Sequence, residues 1–182
     1  YTLSLYDALP IGEIVERPAS ICKELIENAL DAHASHIVLQ VWWWWKDRIQ
    51  IEDDWLGIAQ EDLWLVLTRY ATSKIADEED LYNLSTYGFR GEALSSISEV
   101  SQITIMTKTA QDSVATKLSN ATWSISMVPV PVAWTHGTTV IIENLFYNVP
   151  VRQKFLKSPQ TEYFYCYDIF LWYALMHWDK HW

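Results

Sequence analysis

Four strand-like segments follow one another between residues 101 and 145 with no helical pattern between them: SQITIMTK, SVATKLS, TWSISMVPV and GTTVIIENL. Each is rich in Thr, Val or Ile and partly alternates apolar with polar residues, the pattern of a strand with one buried face. Two further strands, HIVLQVWWWW and RIQIED, precede them and are predicted to form a hairpin turning at Lys46 and Asp47. Strands clustered in this way fit helices laid on one face of a sheet better than alternating βαβ units. The expected fold is therefore α/β, a two-layer sandwich with helices on one face of a mixed, mostly antiparallel sheet. Pro129 and Pro131 place their segment at an edge or a strand end rather than at a central position, because proline cannot donate to a central ladder.

The helical layer is predicted from apolar periodicity. In PASICKELIENALDA, Ile21, Leu25 and Ala29 form one stripe with Cys22, Ile26 and Leu30 beside it, starting near Pro18. QEDLWLVLTRYA gives a second helix through Leu63, Val66, Leu67 and Tyr70, and ADEEDLYNL a short third piece. A helix is also expected after Gly91, through Ala93, Leu94 and Ile97, and a long one over QTEYFYCYDIFLWYALMHW, whose aromatics blur its period. At 182 residues, half of them apolar, the chain is expected to build a single domain over 1–182.

Thirteen basic against 23 acidic residues leave a formal charge of −10, which disfavours a broad nucleic-acid surface but leaves room for a local basic patch. Two cysteines, Cys22 and Cys166, stand too far apart in sequence to suggest a metal site or a disulfide framework, and reduced thiols are expected. There is no secretory signal pattern and no apolar run of membrane-spanning length, so no membrane partner is expected, and a cytoplasmic or nuclear protein is the reading. Eleven tryptophans are an unusual load; four of them, Trp42 to Trp45, would put aromatics on both faces of one strand. Either the sheet is covered on both sides there or an associating patch is exposed.

Chemistry concentrates at a few places. Glu24 and Asn28 lie four apart on a helix, so a carboxylate able to serve as a general base and an amide oxygen able to ligate Mg2+ share one face. Taken alone, E-x-x-x-N is equally what a solvated helix face presents. Asp53 and Asp54 close a strand, where an acid can accept from a ligand amine or sit in water. Gly88, Phe89, Arg90 and Gly91 form a glycine-hinged turn running into a helix start, a plausible anion cradle, with Lys74 as a further cation. The five histidines show no ligand spacing, and no zinc site is expected. Together these pieces suggest a nucleotide site, although neither G-x-x-x-x-G-K-[ST] nor G-x-G-x-x-G occurs.

GEIVERPASICKELIENALDA, RYATSKI, STYGFRGEALSSISEVSQITI and GTTVIIENLFYNVPVRQKFL occur in the order of the N-terminal ATPase region of the MutL and PMS mismatch-repair proteins. The chain resembles that family over roughly Gly12 to Leu156, and through it the superfamily of DNA gyrase B, Hsp90 chaperones and histidine kinases. The resemblance implies an ATPase that uses ATP binding as a conformational switch in DNA mismatch repair, with ATP and Mg2+ as cofactors. By the same resemblance Glu24 orients and activates the attacking water, Asn28 ligates Mg2+, Asp53 receives the adenine amino group, Gly57 lies beneath the base and Thr139 supports the adenine end. Thr72, Ser73 and Lys74 with Gly88, Phe89, Arg90, Gly91 and Glu92 correspond to a lid over the phosphates. The implied partners are a homologous MutL-type subunit, as homo- or heterodimer, and, in the full-length context, a mismatch-recognition protein and DNA.

This sequence departs from the family pattern at Asp54 and Trp55, where asparagine and glycine are usual, and at His33, where glycine usually follows the Asp-Ala pair. The S5-like domain that follows in the family is expected to be absent, so turnover and direct DNA binding are expected to be weak. The alternative is a nucleotide-binding-impaired or designed variant of the same fold, acting only as a protein-interaction or dimerising module.

Overall fold

The computed structural model describes residues 15–42, 48–67, 93–120, 125–133 and 135–182. Among these residues six strands form one sheet: β1 (Ile37–Trp42), β2 (Arg48–Asp53), β3 (Gln102–Lys108), β4 (Ala115–Ser119), β5 (Ser126–Val130) and β6 (Gly137–Glu143), in the spatial order β1-β2-β6-β3-β4-β5. Every strand pairing is antiparallel; the parallel exception is an isolated bridge between His36 and His181. Pro129 lies in β5, an edge strand, as its missing donor requires. The hairpin turn expected at Lys46 and Asp47, and Trp43 to Trp45, lie outside the described residues. Trp42 is exposed, with the Arg48 guanidinium 5.1 Å from its ring centre.

Register explains why the sheet has one apolar face and one largely polar face. Ile49, Ile142 and Ile103 stand in line across β2, β6 and β3, and Ile51, Val140, Ile105 and Leu118 in the next row, all of them buried. These alternate positions share a face. The opposite face carries polar neighbours: Arg48 donates to Gln50, Gln50 donates to Glu52, and Thr104 hydrogen-bonds Ser119 at 3.1 Å.

Among the described residues four α-helices accompany the sheet: α1 (Pro18–Asp31), α2 (Ala93–Val100), α3 (Pro150–Phe155) and α4 (Pro159–Met176). Pro18 opens α1, where a missing N–H costs nothing, and the helix buries Ile21, Cys22, Leu25, Ile26, Ala29 and Leu30. It ends in a Schellman turn: His33 N–H donates to the Leu30 carbonyl at 2.8 Å and Ala34 N–H to the Ala29 carbonyl at 3.1 Å, with His33 at φ 60°. That left-handed position is the one where the family pattern has glycine.

Helix α4 begins at Ser158, whose hydroxyl accepts from Thr161 N–H at 3.3 Å, and packs along α1. Tyr173 donates its hydroxyl to the buried Glu27 carboxylate, which also accepts from Lys23 at 2.7 Å. Beyond α4 the chain returns to the sheet, where Ile37 N–H donates to the His181 carbonyl at 2.8 Å and Trp182 packs edge-on to Phe170.

One expectation needs correction. The second predicted helix is, in its described part, a turn followed by a 3-10 helix over Leu65–Leu67, in which Leu63 is buried but Trp64 and Leu65 are exposed. Leu63 alone is fully buried there, Val66 and Leu67 packing only partly against the core, so the apolar anchoring for an α-helical face is thin. The cysteines are both buried free thiols, as the sequence leads one to expect, and although 144 positions apart they face one another, the Cys166 thiol and burial pushing the Cys22 thiol up.

Candidate functional site

The last residue of β2, Asp53, pairs with Ile37 on one side and Thr138 on the other. By alternation its carboxyl lies on the helix-facing side of the sheet, at the polar end of the isoleucine rows. It accepts the Trp55 N–H at 3.2 Å and is also hydrogen-bonded by the Thr138 backbone. Burial pushes this carboxyl up to about 6, against the downward pull of those two donors, with the Asp54 charge adding a further upward push. It is an acceptor held in a partly desolvated cleft.

Threonines floor that end of the cleft. Thr107 hydrogen-bonds Thr138 at 3.1 Å, donates to the Gly137 carbonyl at 3.2 Å and accepts the Ile58 N–H at 2.8 Å. Gly57, one residue earlier, has φ 78°, and a Cβ built on it would stand 2.2 Å from the Lys108 carbonyl oxygen. Only glycine allows the loop after β2 to lie this close to the end of β3. Gly57 is thus required by backbone contact as well as by dihedral.

The partner expected for Asp53 changes by one residue. Thr139 pairs with Glu52 and Met106, so its side chain belongs to the polar face, opposite the Asp53 carboxyl. At the strand end it borders a cavity of about 180 Å³ that His36, Val38, Glu52, Asp53, Asp54 and His136 also line. Thr138 is the threonine on the Asp53 side, and Thr107 joins it. The signal for both was present in the alternation of QITIMTK and GTTVIIE, once the register between the two strands is known.

Helix α1 packs against β1 and β2, bringing the element that carries Glu24 and Asn28 onto the strand that ends in Asp53. Both residues are half-buried on the same helix face. Burial raises the Glu24 carboxyl, Lys23 at 3.6 Å pulls it down, and the Glu27 charge pushes it up again. A carboxyl held above its ordinary value is better suited to taking a proton near neutrality than a fully solvated one.

Asp54 plays another part. Burial works against its ionisation, but the His36 and Ser35 N–H groups, donating to one oxygen at 2.9 and 2.8 Å, hold its pKa down. It fastens the α1–β1 connection to the end of β2. Trp55 keeps a negative φ and packs against the core, so the indole occupies no glycine-only conformation.

Thr72, Ser73, Lys74, Gly88, Phe89, Arg90, Gly91 and Glu92 lie outside the described residues. Among the described residues no group of three metal-ligating side chains comes together, and no helix is long and apolar enough to cross a membrane. The donor set nonetheless suits a nucleotide with its cation. A half-buried carboxyl among threonine hydroxyls suits an exocyclic amine, and a half-buried amide and carboxyl on one helix face suit a hard, hydrated cation and a water.

Comparison with known proteins places the fold in a family. Residues 16–139 match the profile of the histidine kinase-, DNA gyrase B-, and HSP90-like ATPases. The DNA mismatch repair protein MutL of Coxiella burnetii is 51% identical over 152 residues, covering 84% of this chain and 26% of that protein. MutL of Lactococcus lactis is 45% identical over 174 residues, covering 96% of this chain and again 26% of the relative. The chain thus spans about a quarter of the length of these relatives. Among solved structures, the Aquifex aeolicus MutL ATPase domain complexed with ADP superposes with a TM-score of 0.66 at 29% identity, over 92% of this chain and 58% of that one. The N-terminal domain of a DNA repair protein gives a TM-score of 0.74 at 26% identity, over 93% and 48%.

Proposed function

Because the chain belongs to the histidine kinase-, DNA gyrase B- and HSP90-like ATPases, as a MutL-type N-terminal ATPase region, we propose that it binds and hydrolyses Mg-ATP as a conformational switch in DNA mismatch repair. The observation that carries the reading is the half-buried Asp53 carboxyl, set beside Thr138 and Thr107 at the end of a strand on which the Glu24 helix packs. Asp53 accepts the adenine amino group, Thr138 replaces Thr139 as the neighbouring polar contact, and Gly57 keeps the loop low beneath the base.

Glu24 holds the attacking water and receives its proton, and its raised pKa favours that transfer near neutral pH. Asn28 offers an amide oxygen to Mg2+, which when bound would offset the charge of the phosphates. Thr72, Ser73, Lys74 and Gly88 to Glu92 serve as the lid, a segment whose ordering on nucleotide binding would couple the site to a second MutL-type subunit. In the longer protein the switch acts with a mismatch-recognition partner and DNA. By its charge alone the acidic chain offers DNA little attraction. Bacterial relatives favour the cytoplasm, near the nucleoid.

Calorimetry with a non-hydrolysable ATP analogue and Mg2+ tests the binding half. Saturable binding lost in Asp53→Ala is expected; no binding by the unaltered chain would leave only an interaction module of the same fold. Phosphate release abolished in Glu24→Ala, with analogue binding retained, tests the hydrolytic half.

A further inference from the structure

Lys23 and Glu24 are neighbours in α1, and neighbouring helical side chains leave the axis about 100° apart, so adjacency in sequence does not bring them together. Their contact is built by a third residue. Glu27 lies four positions after Lys23 and three after Glu24, which puts its carboxylate between the two. The Lys23 ammonium stands 2.7 Å from Glu27 and 3.6 Å from Glu24. Glu27 itself is only 6% exposed, and the Tyr173 hydroxyl donates to its other oxygen from α4.

We propose that Lys23 is a positioning residue for Glu24, anchored by Glu27 and through it by Tyr173, that keeps the Glu24 carboxylate charged and steady to receive a proton from the attacking water. The proposal rests on the reading of Glu24 as the base of hydrolysis. A base must be unprotonated when the water attacks. Burial and the Glu27 charge both work against that state, whereas the Lys23 ammonium favours it, as a charge and as a hydrogen-bond donor. Among the described residues, the sheet beneath α1 turns one acid to the helix-facing side, Asp53 at the end of β2, and α4 acts through the Tyr173 hydroxyl on Glu27.

The anchor is what makes the contact useful. The Lys23 side chain is 45% exposed and has a flexible four-carbon stem, and an exposed ion pair of that kind is weak when nothing else holds it. Glu27 is buried and fixed from α4, so it keeps the ammonium where it also reaches Glu24. The lysine then acts twice: it offsets the Glu27 charge that pushes on Glu24, and it attracts Glu24 directly. Opposite signs follow for the two neighbours. Removing the Lys23 charge makes Glu24 harder to ionise, and removing the Glu27 charge makes it easier. A general loosening of α1 would not produce that pair of signs.

Carboxyl-detected carbon NMR of the nucleotide-free chain reads the Glu24 titration without any turnover. The Glu24 midpoint is expected to rise by about half a pH unit in Lys23→Met, to stay near the parent value in Lys23→Arg, and to fall in Glu27→Gln. With Mg-ATP, the acid limb of phosphate release in Lys23→Met should move up by the same half unit, about a threefold loss of turnover there, with KM and analogue affinity unchanged and the parent profile restored in Lys23→Arg. A Glu24 midpoint unmoved in Lys23→Met, an equal movement in Lys23→Arg, a rise in Glu27→Gln, or a loss confined to KM would each overturn the proposal. Failure of the underlying reading shows separately, as a parent chain that neither binds the analogue nor releases phosphate, and the proposal would fall with it.

Discussion

Replacing Asp53 by asparagine separates what this residue does for binding from what it costs the fold. Its carboxyl is pushed by burial from 3.8 to about 6. Below pH 3.8 both folded and unfolded chains hold the proton and the site costs nothing. As pH rises toward 6 the unfolded chain ionises first, the folded chain binds the extra proton, and folded stability falls. Two units at 1.36 kcal/mol each give a penalty of about 3 kcal/mol above pH 7 and about 1.5 kcal/mol at pH 5.

Asparagine removes this penalty. It also accepts less well from the Trp55 and Thr138 backbone donors, a loss of about 1 kcal/mol. Asp53→Asn should therefore be more stable than the parent by about 2 kcal/mol at pH 8, or about 4–8 °C in Tm, and by only about 0.5 kcal/mol at pH 5. Thermal melts of both proteins without nucleotide, from pH 5 to 8, measure it. A variant less stable at pH 8, or a gap that does not widen with pH, would refute the burial argument. The same variant should bind the ATP analogue more weakly, so stability and affinity move in opposite directions.

Three other substitutions probe the frame of the site. His33→Gly relieves a side chain at φ 60° in the turn that ends α1, and after the added freedom of the unfolded chain it should gain about 0.5–1 kcal/mol in denaturant titration, whereas His33→Ala should gain nothing. Gly57→Ala drives a methyl to within 2.2 Å of the Lys108 carbonyl at a positive φ and should cost more than about 2 kcal/mol; a loss under about 0.5 kcal/mol would mean that the loop is free to shift. Tyr173→Phe withdraws the hydroxyl donor from buried Glu27 and should cost about 1–3 kcal/mol, largely abolished when Glu27→Gln is already present, as a double-mutant cycle would show.

The strands, α1, α2, α4 and the edge position of β5 were legible because each rests on local pattern: alternation, a 3.6-residue stripe, or the missing donor of Pro129. Helix α3 was not, since it buries none of its residues and leaves no apolar stripe to find. The predicted helix beyond Gln60 showed a stripe in sequence, but in its described part only Leu63 is buried. Asp53, Glu24 and Asn28 were picked out by chemistry and spacing, together with family likeness.

The sequence by itself determined the element types, the one apolar face of the sheet and the residues able to handle an amine, a cation and a water, because these depend on neighbours a few positions apart. Tertiary structure decided which threonine stands beside Asp53, that Cys22 faces Cys166, and that Tyr173 reaches Glu27. Each of these is set by register or packing between segments about 85 to 146 residues apart. A one-residue change of register would exchange Thr138 for Thr139, because side chains alternate faces with a period of two, and the local sequence is nearly the same for either choice.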